Sequence, residues 1–280
     1  YYIRARYNGQ DITSDWSNQL DFYYNGNTFA LYSGSFDNTI KKIDSSGNQV
    51  WSFSGHTNRV YGVAVDSSGN VYSGSNDDTV RKIDSDGNEV WTFSGHTGNI
   101  RDVAVDSNGN VYSGSNDKTM KKIDSSGNEV WTFTGHTNYV YGVAVDSSGN
   151  VYSASGDNTV KKIDSSGNEV WSFSGHTNSV RGVAVDSNGY VYSASADDTV
   201  KKIDSSGNGV WTFSGYTNNV RSISVDSSGN VYSGSDDNTV KKIDSSGNEV
   251  WSFSGHTSAV YDVAVDSSGN VYSASFDDTV

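Results

Sequence analysis

KKIDSSGNQVWSFSGHTNRVYGVAVDSSGNVYSGSNDDTV, residues 41–80, decides the fold, because the chain repeats this stretch with few changes at 81–120, 121–160, 161–200, 201–240 and 241–280. The 280 residues therefore divide into seven periods of 40. Residues 1–40 hold the remaining period and match the others only in LYSGSFDNTI at 31–40, so that 1–24 is divergent. A period of this length is the signature of a repeat architecture in which each unit buries its faces against its neighbours.

Within one period the β-branched and aromatic residues gather in four short runs: VYGVAV at 60–65, VYSGS at 71–75, TVRKI at 79–83 and EVWTFS at 89–94. Turn residues bound them. DSSGN at 66–70 and DSDGN at 84–88 place an Asp that can accept from backbone N–H groups ahead of a Gly suited to positive φ, which closes a tight hairpin. No run reaches helix length, and no Pro interrupts a ladder. One four-stranded sheet cannot bury both of its faces, so successive sheets must pack face to face around an axis. The expectation is an all-β, seven-bladed propeller of four-stranded antiparallel blades, occupying 1–280 as a single domain.

Composition narrows the partners. The net charge of −14 works against counterion release from phosphates and against anionic membrane surfaces, so neither nucleic acid nor membrane insertion is expected. With no Cys there is no disulfide framework, thiolate metal site or cysteine nucleophile. No stretch approaches the roughly 18 apolar residues of a membrane span, and the chain reads as soluble. A hydrophobic fraction of 34% is low for a folded domain, but 18 Tyr and 7 Trp argue for burial.

GHTNYVYGVAVDSSGNVYSASGDNTVKKID at 135–164 resembles a WD40 repeat, with its Gly-His pair, inner strand and Ser-x-Asp corner. The hallmark Trp of that family is replaced by Ile43, Ile83, Ile123, Ile163, Ile203 and Ile243, each followed by Asp. GVAVDSSGNVY is similar to NHL repeats, and the GNEVW ending to the Trp-bearing edge of PQQ-type repeats. The WD40 resemblance implies a structural network in each copy: His56 with Ser75 and Asp77, His96 with Ser115 and Asp117, His136 with Ser155 and Asp157, His176 with Ser195 and Asp197, and His256 with Ser275 and Asp277. These are also the residue types of a nucleophilic triad. Five full sets, a Tyr216 in the sixth and no nucleophile elbow favour the structural role, and no catalytic residue is assigned. Loss of the family's indole donor should weaken the clamp.

Asp84 and Asp86 are the best placed residues for calcium, but the loop lacks a closing Glu and needs no ion as a hairpin turn, so no metal is expected. No cofactor is expected either. The basic pairs beginning at 41, 81, 121, 161, 201 and 241 are expected to cover apolar edge with their stems and keep their charges in water. Trp51, Trp91, Trp131, Trp171, Trp211 and Trp251 should pack between blades.

The copies disagree chiefly at three places. One reads Arg59, Asn99, Tyr139, Ser179, Asn219, Ala259; a second Tyr61, Arg101, Tyr141, Arg181, Arg221, Tyr261; a third Phe36, Asn76, Asn116, Gly156, Ala196, Asp236, Phe276. In the WD40 pattern these places lie together around the mouth of the central channel. Drift would also touch the exposed turns, which barely change, and the substituted types are those of binding hot spots. The expected partner-binding residues are Tyr61, Arg101, Tyr141, Arg181, Arg221, Tyr261, Arg59, Tyr139, Phe36 and Phe276.

YYIRAR at 1–6 is expected to close the ring as the missing outer strand of the last blade, whose sequence stops at Val280 in its third strand. YYIRARYNGQDITSDWSNQLDFYY at 1–24 alternatively resembles the last strands of a fibronectin type III domain, which would place the chain in a longer modular protein at a cell or virion surface. The leading functional expectation is a non-catalytic scaffold that binds a protein or glycan. The alternative is a structural component of a surface, filament or tail-like assembly, self-associating through its last blade. An enzyme of the quinoprotein or lyase kind has the least support.

Overall fold

The computed structural model describes the backbone of residues 3–7, 10–14, 17–24, 29–266 and 268–277, and the side chains of residues 30–266 and 268–277. It is built entirely of short strands. After a hairpin of β1 (Ile3–Tyr7) and β2 (Gln10–Ser14) comes a first four-stranded sheet of β3 (Ser17–Tyr24), β4 (Phe29–Ser35), β5 (Ile40–Asp44) and β6 (Gln49–Phe53). The second comprises β7 (Val60–Val65), β8 (Val71–Ser75), β9 (Val80–Ile83) and β10 (Glu89–Phe93). Four more sheets repeat it as β11–β14 (100–133), β15–β18 (140–173), β19–β22 (180–213) and β23–β26 (220–253), followed by β27 (Val260–Val265) and β28 (Val271–Ser275). Neighbouring strands in each sheet are antiparallel and sequential.

The innermost strands β3, β7, β11, β15, β19, β23 and β27 each pack on the next, and β27 packs on β3. The ring thus closes as a seven-bladed propeller. The hairpin β1–β2 approaches β28. Residues 1 and 2 of the expected closing segment 1–6, its side chains, and residues 278–280 of the last third strand lie outside the described residues.

The core lies between blades, not within them. On β12 (Val111–Ser115) the period-2 alternation sends Val111 backward into a cluster with Tyr72 and Val80 of the preceding blade, and Tyr112 forward onto Val140, Val143 and Ile163 of the next. The Ile that replaces the family Trp is fully buried here, Ile83, Ile123 and Ile163 each at 0% exposure, and supplies apolar contact in place of an indole hydrogen bond. The repeated Trp of the outer strand makes the tie between blades: Trp51 Nε1 donates to Ser85 O at 3.0 Å, Trp91 to Ser125 O, Trp131 to Ser165 O, Trp171 to Ser205 O and Trp211 to Ser245 O.

The basic pairs are less solvated than the sequence suggests. Lys121, Lys161 and Lys241 donate to Glu129, Glu169 and Glu249 at 2.9 Å, and Arg81 pairs with Glu89. The second member of each pair lies over a tyrosine ring, as Lys82 over Tyr72 at 5.4 Å, because Tyr72 and Lys82 are cross-strand partners.

The hairpin turns take the expected form. Asp66 N–H donates to Asn70 O, Gly69 N–H returns to Asp66 O, and Gly69 sits at φ 80°, a three-residue loop of type I turn plus glycine bulge. The corner after each second strand also needs a left-handed residue. Asn or Asp fills it in most blades, but Lys118 adopts φ 72° there. Lysine has no short side-chain oxygen to offset that conformation. Lys118→Asn, which copies Asn38, Asn158 and Asn238, is therefore expected to raise stability by about 0.5–1 kcal/mol in urea denaturation.

Candidate functional site

Five of the blade corners are built on one buried imidazole each. His136 Nδ1 lies 2.8 Å from Asp157 Oδ2, and its Nε2 lies 2.8 Å from Ser153 Oγ. The carboxylate can only accept, so Nδ1 carries a proton, and a singly protonated ring leaves Nε2 to accept from the serine hydroxyl. Asp157 also takes the Thr137 N–H at 3.0 Å and the Thr159 hydroxyl at 2.6 Å. The same set recurs at His56, His96 and His176 with Asp77, Asp117 and Asp197, and its imidazole–carboxylate pair at His256 and Asp277.

One member differs from the sequence expectation. The serine on the imidazole is Ser73, Ser113, Ser153, Ser193 or Ser273, two residues before the expected one. Ser75, Ser115, Ser155, Ser195 and Ser275 instead bond backbone: Ser75 Oγ donates to Asn58 O and accepts from Asp77 N–H, and the other four repeat this. Period-2 geometry puts both serines on one face, and the imidazole reaches the one deeper along the strand. Ser-to-His-to-Asp connectivity here is that of a nucleophilic triad, but Ser73, Ser113, Ser153 and Ser193 are at 0% exposure. In the sixth copy Tyr216 reaches the same depth, its hydroxyl donating to Ser233 O at 2.9 Å beside Ser233 Oγ. The threonines, Thr79, Thr119, Thr159 and Thr199, were not anticipated; their invariance across copies was the available signal.

The turn expected as the best calcium candidate is closed by its own hydrogen bonds. Asp84 Oδ1 accepts from the N–H groups of Asp86 and Asn88, and its carboxylate from the Asn88 side chain.

The second site is the channel mouth. Tyr61, Arg101, Tyr141, Arg181, Arg221 and Tyr261 all line one central cavity of about 560 Å³. Each arginine lies on a tyrosine of an adjacent blade: Arg101 over Tyr61 at 4.6 Å, Arg181 over Tyr141 at 4.4 Å, and Arg221 over Tyr261 at 4.4 Å. The remaining four residues extend this belt. Arg59 covers Phe36 at 4.5 Å, Phe36 meets Tyr61 and Phe276, Phe276 meets Tyr261 at 4.0 Å, and exposed Tyr139 stands edge-on to Tyr141. All ten residues singled out from the sequence are therefore brought together at one end of the ring.

The arginines differ in their partners. Arg221 forms a bidentate pair with Asp236; burial disfavours its charge, but the Asp236 carboxylate outweighs this and raises its pKa. Arg101 Nε donates to Asn116 Oδ1 at 2.9 Å. Arg181 faces Ala196 at the corresponding corner and, among the described residues, has the Tyr141 ring as its contact with no hydrogen-bond acceptor. A fourth varied place lies deeper: Gly62, Asp102, Gly142, Gly182, Ser222 and Asp262 also line the cavity or its inner strands. Comparison of the copies could have found it.

Among solved structures, the WD40 β-propeller domain of Doa1 superposes with a TM-score of 0.85, covering 99% of this chain and 95% of that one at 22% sequence identity, which establishes the fold. No curated protein matches the chain in sequence. The class is thus a WD40-like seven-bladed β-propeller. A PQQ-type family model described as "Outer membrane protein assembly factor BamB" matches residues 37–155 and again 156–280, and the chain belongs to that family.

Two outcomes follow for the corner network. His136→Ala strands Asp157 and Ser153 in a buried corner and should cost about 3 kcal/mol, whereas His136→Tyr, which reproduces the Tyr216 copy, should cost clearly less; equilibrium denaturation separates them. For Asp77, Asp117, Asp157 and Asp197, burial disfavours the charged form, but the imidazole, threonine and backbone donors outweigh it and hold the carboxyls well below the ordinary 3.8. Burial likewise lowers His176 from the ordinary 6.5, against the pull of Asp197. In each case the unfolded chain binds protons first, so stability is full above the unfolded value and is lost on acidification. Melting temperature should begin to fall below about pH 6.5 and fall more steeply below about pH 4. A melting temperature that rises on acidification would contradict this.

Proposed function

We propose that the chain is a non-catalytic binding scaffold that recognises a protein or glycan through the channel mouth. The observation that carries this reading is the coincidence of two facts: the copies differ at these positions, and the differing residues are Arg and aromatic side chains in mutual contact around one cavity. Tyr, Phe and Arg bring large contact area and planar hydrogen bonding at low entropic cost, and they dominate interface energetics. The end of the ring that carries the DSSGN turns is nearly invariant and offers no such set.

The non-catalytic part rests on how the candidate groups are spent. The corner serines are buried, and the channel carboxylates Asp102 and Asp262 accept backbone N–H groups, Asp102 from Val103 and Val143 and Asp262 from Val263. Among the described residues no three His, Asp or Glu side chains converge as a metal site. This donor set does not suit a metal-assisted quinone cofactor, and no step is assigned to one.

Replacing Tyr141 and Arg181 together with Ala should abolish partner capture in pull-downs and on glycan arrays while leaving the melting temperature unchanged. Retained binding would sink the proposal.

A further inference from the structure

The inner strands line the channel with backbone groups, and the hairpin register fixes which ones face it. Asp186 N–H closes its turn on Tyr190 O, so the antiparallel alternation makes Ala184 and Tyr192 a hydrogen-bonded pair and leaves Val183 and Ser193 a non-bonded one. Val183 therefore turns its N–H away from its own sheet and toward the channel. The same count from Asp226 and Asn230 turns the Ile223 N–H inward.

Equivalent amides elsewhere in the ring show what these groups bind. The Asp102 carboxylate takes Val103 N–H on Oδ1 at 2.8 Å and Val143 N–H of the next blade on Oδ2 at 2.8 Å. Val263 N–H is met by Asp262 Oδ1 at 2.9 Å and Ser222 Oγ at 3.0 Å. At Asp102, then, one carboxylate bridges the amides of two neighbouring blades.

At Val183 and Ile223 the bridging side chain is missing, because the two preceding positions are Gly142 and Gly182. A Cβ built on Gly142 would lie 3.2 Å from Arg181 O and 3.3 Å from Val183 N, and one on Gly182 3.1 Å from Arg221 O and 3.5 Å from Ile223 N, so a side chain there sits beside those amides and needs the adjoining carbonyl to give by a few tenths of an ångström. Among the described residues neither amide meets a side-chain acceptor. In the same cavity stands Arg181, an arginine that among the described residues has no hydrogen-bond acceptor. An inward pair of N–H donors and a guanidinium in one cavity form a cradle for an anion with two oxygens in a plane.

We propose that the Val183 and Ile223 amides and Arg181 bind a carboxylate brought by the ligand, in the place that Asp102 fills from within the chain two blades earlier. This deepens the scaffold reading and rests on it: the partner inserts an acidic group into the channel while the Tyr and Arg belt holds its flanks. The carboxylate comes from an acidic side chain of a bound protein or from a free acid, and the probes below tell these apart.

The test is an amide-resolved NMR titration of the chain with glutarate, with uncharged glutaramide as control and tetraglutamate peptide as the polymeric probe. Glutarate should shift the Val183 and Ile223 amides and glutaramide should not. Gly182→Asp, which supplies the bridging carboxylate internally, and Arg181→Ala should each weaken glutarate at least tenfold with the fold intact by melting temperature. Tetraglutamate binding at least tenfold tighter than glutarate assigns the carboxylate to a protein partner, and equal or weaker binding assigns it to a free acid. Absence of shifts at Val183 and Ile223, or shifts indifferent to both substitutions, overturns the inference. If captured partner is still released by the Tyr141 and Arg181 double replacement but ignores Gly182→Asp and excess glutarate, the inference alone fails. If partner also survives the double replacement, the scaffold reading fails with it.

Discussion

Everything in this molecule depends on the packing of one thin sheet against the next. A blade of four strands has two faces and no interior, so Tyr112 and Met120 are buried only because Val140, Val143 and Ile163 of the following blade cover them. The Trp hydrogen bond to the next blade's turn, repeated from Trp51 to Trp211, fixes the register of that contact. Such neighbour-to-neighbour cohesion is why near-identical copies suffice: any blade fits any other, and the ring is complete when the first inner strand meets the last. It also explains how a chain with only 34% hydrophobic residues folds, since both faces of every sheet are used.

The corners and the channel divide the polar residues between two tasks. At the corner, His, Asp, Ser and Thr satisfy one another in burial and clamp the loop from one blade to the next. In the channel, polar groups of neighbouring blades face a shared cavity, and the choice at each copy changes what that cavity presents. Gly where Asp could stand leaves an amide open; Ala196 where Asn116 or Asp236 stands in other blades leaves an arginine without an acceptor. On the proposed reading, function is written as departures from an otherwise copied unit.

Much of the fold was legible because a 40-residue period repeats its own evidence: the four strands of β7 to β10 fall within one residue of the runs read from sequence. The channel belt was legible for the same reason, since differences stand out against identical copies. What escaped was depth. Sequence places Ser73 and Ser75 on one strand face but does not say how far the imidazole reaches, and so the wrong serine was matched to it. The inward amides escaped altogether, because a backbone N–H has no residue letter, and the glycines that uncover it read as ordinary small residues. The paired lysines read as solvated in sequence because cross-strand contact with Tyr72 and its equivalents is visible only once the register is known.

The account stands on the claim that the varied end of the ring is the working surface and the invariant end is scaffold. Hydrogen–deuterium exchange of the chain with and without captured partner measures this directly. Protection confined to segments around 59–62, 99–103, 139–143, 179–183 and 219–223 is the predicted result. Protection centred on the DSSGN turns at the opposite end, with the channel segments unchanged, would contradict it.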